Sequence, residues 1–194
     1  REHICRKLGL KAGETLLAEL FISALSGDPT TNLYKTFIDS KTRTIDIGAK
    51  SVFGIVGHHQ GNVLQIGFTD VDAASLTEEK IGAVRQAVVA EIGRIAGYAD
   101  GSPELAEFDA RIASRLVQTE RDLAKFVNSP PGFGGRNSGS GWMDSLFLLE
   151  RSPDFRRSLT YRPQLAFVRS LLDAKTQQSG KQKNFWREYL EKWK

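Results

Sequence analysis

Zinc hydrolysis asks for two histidines one helical turn apart, an acid between them as general base, and a further ligand. The chain has three histidines, His3, His58 and His59, and no H-E-x-x-H or H-x-x-E-H arrangement can be drawn from them. His58 and His59 are neighbours, so in extended chain their rings point to opposite faces and do not converge on one metal. Either could serve as a general base, but their setting, Gly57-His58-His59-Gln60-Gly61-Asn62, reads as the solvated tip of a hairpin. His3 and Cys5 would share a face if their segment were a strand and could then hold half of a metal site, but two unrelated side chains is the preferred reading. Cys5 is the single cysteine, so no internal disulfide can form. Arg6 and Lys7 follow it directly, but adjacency in sequence alone does not make a thiolate nucleophile. Serine offers no G-x-S-x-G elbow. Asp70-Val71-Asp72 sets two carboxylates on one side of a strand end, but magnesium or calcium needs more oxygen ligands than follow. The Gly-, Pro- and Ser-rich run 129–141 lacks the Gly-Lys-Ser/Thr and the strand–turn–helix setting of a phosphate loop, and reads as a loop or linker. The expectation is a chain with no catalytic residue, no metal ligand and no cofactor of its own.

The composition bounds what such a chain can be. A length of 194 residues suits one domain spanning 1–194, and 40% hydrophobic content supports a real core. The 26% charged fraction indicates neither disorder nor a coiled coil. The net charge of +4 is a mild bias. It does not argue for nucleic acid, whose binders concentrate basic residues in a patch. No apolar run reaches the roughly 18 residues of a membrane span, and the N-terminus lacks a signal-peptide core. The chain begins without Met, which reads as a fragment or a processed piece of a longer protein.

The elements that would position these residues follow from periodicity and punctuation. After residues 1–13, which read equally as a short strand or an irregular lead-in, Leu17, Leu20, Phe21 and Ala24 predict a helix over 14–25. Gly27 is placed as its stop and Pro29 in the first turn of a second helix, running to Lys41, with Leu33, Phe37 and Ile38 inward. Alternation over 45–55 predicts a strand with Ile45, Ile47, Ala49, Ser51, Phe53 and Ile55 on one face and Lys50 on the other. Residues 63–69 return as its partner with Leu64, Ile66 and Phe68 together. Such a pair implies an antiparallel sheet covered on one side. Ser75 with Glu78 forms a capping box, opening a helix whose stripe is Ile81, Val84, Val88, Ile92 and Ile95. Ser102-Pro103-Glu104 starts another, with Leu105, Phe108, Ile112, Leu116 and Leu123 buried. The two long helices are expected as an antiparallel pair laid on the sheet. Order resumes as helix over 142–150 and again over 162–172.

The last segment, 184–194, reads as an amphipathic helix with Phe185, Trp186, Tyr189, Leu190 and Trp193 on one face. It is also basic, a composition that can lie on a membrane surface or a partner. A terminal helix docked on its own core by its aromatics accounts for the same spacing and is preferred.

In their order and spacing these pieces resemble the insulinase/pitrilysin-type zinc peptidases, in particular their inactive, non-zinc domain. The resemblance runs through the first helix, Gly27-Asp28-Pro29-Thr30-Thr31-Asn32-Leu33-Tyr34, the hairpin and the helix over 78–95. It continues into Gly101-Ser102-Pro103-Glu104-Leu105, which is similar to the family's Gly-x-Thr-x-x-Glu-Leu start but one residue shorter. It implies an α+β fold, an antiparallel sheet with helices on one face, of the metallopeptidase/mitochondrial-processing-peptidase-like kind. It implies a non-catalytic domain that completes a peptide-substrate chamber with a zinc-bearing domain in the same chain or a partner, and a bacterial, periplasmic setting. Inactive halves of many such enzymes keep an Arg on the second helix and a Tyr at the strand entry to grip substrate. Those places fall here on Ile38 and Ile45, and Asp39 stands where a Glu is common, so no substrate-binding residue carries over. Two readings from other classes stand beside this one. The first is a stand-alone binding module, a membrane-surface or nucleic-acid adaptor using the basic C-terminal helix, and the second is an enzyme using His58 or His59.

Overall fold

The computed structural model describes residues 12–56, 64–128, 162–173 and 182–193. The expectations for His3, Cys5, His58, His59, the 57–62 hairpin tip, the 129–141 run and the 142–150 helix lie outside those residues. Within them the chain is α+β. Helices α1 (Ala12–Leu25) and α2 (Asn32–Phe37) lead into strands β1 (Ser51–Val56) and β2 (Leu64–Thr69). A 3-10 turn at Ala73–Ser75 precedes α3 (Glu78–Ala96), α4 (Pro103–Asn128), α5 (Arg162–Asp173) and α6 (Trp186–Trp193).

Helix α1 is the centre. Leu16, Leu17, Ala18, Leu20, Phe21, Ile22, Ala24 and Leu25 are all buried, so it is apolar nearly all round, the mark of a helix enclosed by others. It packs against α5, β1, α4 and α2. One cluster of buried side chains joins it to Leu33, Phe37, Val52, Ile95, Phe108, Val168 and Trp186, drawn from every other helix and from β1.

The strands pair antiparallel, with Val52 opposite Phe68, Gly54 opposite Ile66 and Val56 opposite Leu64. These residues face the helices, and β2 has the parity expected of it. The parity expected for β1 is reversed. Val52 and Val56 are buried, whereas Phe53 and Ile55 are 40% and 50% exposed. Ile47 and Ala49 are buried as expected, so the alternation shifts by one between Ala49 and Val52. The cause is local. Lys50 N–H donates to the Thr69 carbonyl at 3.1 Å, while Thr69 is already the register partner of Ser51. Two residues against one is a bulge, which resets alternation. Residues 45–50 make no regular ladder, and Gly48 turns through φ +71°, a region open to glycine at little cost.

The second helix is shorter than its pattern implied. It begins at Asn32 after Thr31 and ends at Phe37, so Pro29 lies in the preceding turn and Lys41 lies beyond the helix. Asp39 ends it: its Oδ1 accepts from Lys41 N–H at 3.0 Å and its Oδ2 from the Thr42 hydroxyl at 3.2 Å, a side-chain turn that competes with helix. At α3 the cap is Thr77, whose Oγ1 accepts from Lys80 N–H at 3.2 Å. The Ser75–Glu78 capping box is displaced because Asp72 winds Ala73–Ser75 into the 3-10 turn by accepting from Ala74 N–H. Nor do α3 and α4 form a pair on the sheet. Helix α3 packs on α6 and α2, and α4 on α1 and α5. Accordingly only Ile95 of the α3 stripe is buried and Ile81 is exposed, while Leu105, Phe108, Ile112 and Leu116 of α4 are buried as expected.

The closest approach in the core sets the sheet on α1. A Cβ placed on Gly54 would lie 2.1 Å from Ile22 Cγ2 and 2.8 Å from Ser26 Oγ. Gly54→Ala therefore overpacks this contact and should destabilise the fold by about 1–3 kcal/mol, read as a lower denaturation midpoint. An unchanged midpoint would mean that β1 does not sit against α1 at this depth.

Candidate functional site

Among the described residues, two polar clusters that tie distant segments together stand out within the apolar core. The first is built on α4. Leu105, Phe108, Ile112 and Leu116 bury one side of that helix, and Asp109, one residue past Phe108, is buried with them. Asp109 Oδ1 accepts from the Trp186 indole N–H at 2.7 Å, and Oδ2 accepts from the Gln182 amide. Trp186 is wholly buried between Phe21 and Phe108, with ring centroids 5.3 and 5.5 Å away. Two residues earlier, Asn184 caps two helices at once. Its Oδ1 accepts from Trp186 N–H at 3.0 Å at the start of α6. Its Nδ2 lies within donor reach of the carbonyls of Ile95, Ala96 and Tyr98 at 2.8, 3.3 and 3.0 Å. Ile95 and Ala96 close α3, where carbonyls run short of helical donors, and Tyr98 lies in the turn after it; Ile95 O also accepts from Tyr98 N–H at 3.3 Å. Arg187 Nε adds a donor to Ala96 O at 3.3 Å, a cation at the negative end of the helix dipole.

The second cluster clamps the break between α1 and α2. Arg111 donates from Nη1 to Thr30 O at 2.6 Å and from Nη2 to Asn32 Oδ1 at 2.8 Å, and its guanidinium lies 5.2 Å from the Phe108 ring centroid. Arg115 Nη2 donates to Asp28 Oδ2 at 2.6 Å. Asn32 Nδ2 reaches Glu91 Oε2 at 3.3 Å, which also holds Arg94. Burial draws the Arg111 guanidinium below its ordinary value against the pull of the Glu107 carboxylate, and it remains a cation. At Asp28 burial acts to raise the carboxyl. The hydrogen bonds from Thr30, and then Arg115, outweigh it and hold the group below its ordinary value.

Neither cluster sets a nucleophile against a base. Each ties helices and turns together. The residues singled out in the sequence sit elsewhere. Ile38 and Ile45 are half-buried and pack against the core, while Asp39 is engaged in its turn. Asp70 takes a left-handed conformation at φ +54°, which Asp tolerates, and Asp72 caps the following 3-10 turn. Among the described residues no group of three His, Cys, Asp or Glu side chains could hold a metal ion. Nor is any helix of the described residues long and apolar enough to cross a membrane. Asp109, Arg111, Arg115 and Asn184 did not stand out in the sequence. The available signal was Asp109 itself, a carboxylate at helical spacing on an apolar stripe, whose indole partner lies far along the chain where spacing cannot reveal it.

Compared with known proteins, the chain matches no family model, no curated protein and no solved structure.

The two buried tryptophans of α6 separate hydrogen bonding from packing. Trp186 Nε1 is bonded to Asp109, whereas Trp193 Nε1 is buried without a partner among the described residues. Trp186→Phe strips a donor from a buried carboxylate and should cost about 1–3 kcal/mol more than Trp193→Phe, which loses no hydrogen bond. Equal costs in chemical denaturation would show that the Asp109 bond contributes nothing net.

Proposed function

We propose that this chain is a non-catalytic domain of an insulinase-type zinc peptidase, walling the substrate chamber opposite a zinc-bearing domain in the same chain or a partner. The observation that carries the reading is the order of elements. A buried helix stops at Gly27, a short helix carries Leu33-Tyr34, a hairpin follows with its helices on one side, and two long helices come next, the second capped by Ser102. That order is the one on which the metallopeptidase/mitochondrial-processing-peptidase-like resemblance rests. Zinc and the metal-activated water would belong to the partner, and the substrate would be an unfolded peptide. With Ile38 and Ile45 in the gripping places, the wall would hold peptide by shape and apolar contact, raising the chance of attack geometry at the zinc.

The adaptor reading asks α6 to offer its aromatic face to a membrane or a partner. Trp186, Leu190 and Trp193 are buried against the core, while Arg187, Glu188, Glu191 and Lys192 are exposed. The outward face therefore carries both signs of charge, which favours the chamber reading over the adaptor.

The test is cleavage of an unfolded peptide by the zinc-bearing domain, expressed with and without this one. Its presence should raise kcat/KM by about tenfold or more. Equal activity in both preparations would remove the chamber role. Chelator-resistant peptide cleavage by this chain alone would overturn the non-enzyme reading.

A further inference from the structure

The turn between α3 and α4 holds an Asp-Gly bond. Ser102 N–H donates to Ala99 O at 3.0 Å, closing a β-turn over Asp100 and Gly101, with Gly101 at φ +74°. A turn of that form requires a left-handed third residue, hence glycine. The same glycine leaves its amide nitrogen unhindered by a side chain. In an Asp-Gly pair that nitrogen can attack the Asp side-chain carbonyl carbon. The new N–Cγ bond forms from the protonated carboxyl, the amide proton and the carboxyl hydroxyl depart together as water, and a succinimide results. Water then adds to either ring carbonyl. Addition at the main-chain carbonyl leaves isoaspartate, with the backbone rerouted through the side chain and one carbon longer. No oxidant or second reactant is needed.

Both reacting groups are held by one distant segment. Asp100 Oδ1 accepts from Asn184 N–H at 2.9 Å, and Gly101 N–H donates to Gln182 O at 2.7 Å. Asp100 and Gly101 are themselves exposed, so water reaches them, and these two bonds are what restrain the attack. We propose that Asp100–Gly101 is an isoaspartate-forming site held closed by the docked C-terminal segment, so that isomerisation there follows undocking of that segment. Once formed, the longer backbone no longer presents Asp100 Oδ1 and Gly101 N–H to their partners. The Asn184 cap on α3 is weakened with them, so the modified chain stays undocked.

The experiment incubates the whole chain in heavy-oxygen water and maps peptides by mass spectrometry, since succinimide hydrolysis incorporates the label. Asp39-Ser40 serves as an internal control, because the hydrogen bonds of Asp39 are with Tyr34, Lys41, Thr42 and Arg43 and not with the C-terminal segment. Asn184→Ala should raise isoaspartate at Asp100 about tenfold, the effect expected of losing one to two hydrogen bonds, while Asp39 is unchanged. In the unsubstituted chain, guanidinium should accelerate Asp100 more than Asp39. The proposal is overturned if folded and guanidinium-treated chains react equally fast at Asp100. It is also overturned if Asn184→Ala leaves Asp100 unchanged or accelerates both sites alike.

Discussion

A carboxylate with no exposure has to be met by donors, because leaving it unpaired in the interior costs several kcal/mol. Asp109 is that carboxylate, and the Trp186 indole is its donor at 2.7 Å. The bond joins the last helix to α4 directly under Phe21 of the central helix. Because a hydrogen bond is directional, it also sets where Trp186 lies, and with it the start of α6. Asn184 then falls where its amide can cap both α6 and α3, and Gln182 where its carbonyl meets Gly101. A terminal segment that apolar contact alone would leave free to slide is thereby placed in one register.

The arginine clamp does the same for the opposite side. The break after Gly27 exposes backbone groups of the α1–α2 turn, and Arg111 takes the Thr30 carbonyl while Arg115 takes Asp28. Arg115 and Asp28 are partly exposed, so the pair specifies geometry more than it adds stability. With α1 held between these two attachments, the hairpin rests on it through Gly54. A two-stranded sheet backed by a buried helix suits a domain whose proposed role is to present a wall. In that role the outer face of the sheet, with Phe53 and Ile55 partly exposed, supplies apolar surface and no reacting group.

Much of this architecture was legible in the sequence, for reasons that differ by element. Helix α1, the buried stripe of α4 and the docked aromatics of α6 were readable because helical periodicity is a direct record of burial. Their ends were less so. Thr77 displaced Ser75 as a cap because Asp72 organised the intervening turn, a competition among three polar side chains that spacing does not rank. The inverted face of β1 came from a bulge at Lys50 and Ser51, which the pattern of 45–55 conceals because alternation persists on paper. The separation of α3 from α4 depended on α6 arriving from more than eighty positions away to cover α3, as the Asn184–Ile95 bond shows. Long-range polar partners such as Asp109 and Trp186 leave no mark in local periodicity.

Native-state hydrogen exchange of the α6 amides tests most directly whether the C-terminal helix belongs to the core. If the Asp109–Trp186 bond and the aromatic packing make α6 one cooperative unit with α1, the amides of Trp186–Trp193 that are bonded within the helix should open only with those of α1. Their opening free energies should then converge on the same value as denaturant is added. Exchange of α6 at a much lower free energy, independent of denaturant, would show a helix that frays from the body on its own. That result would contradict the account and return the aromatic face to the surface.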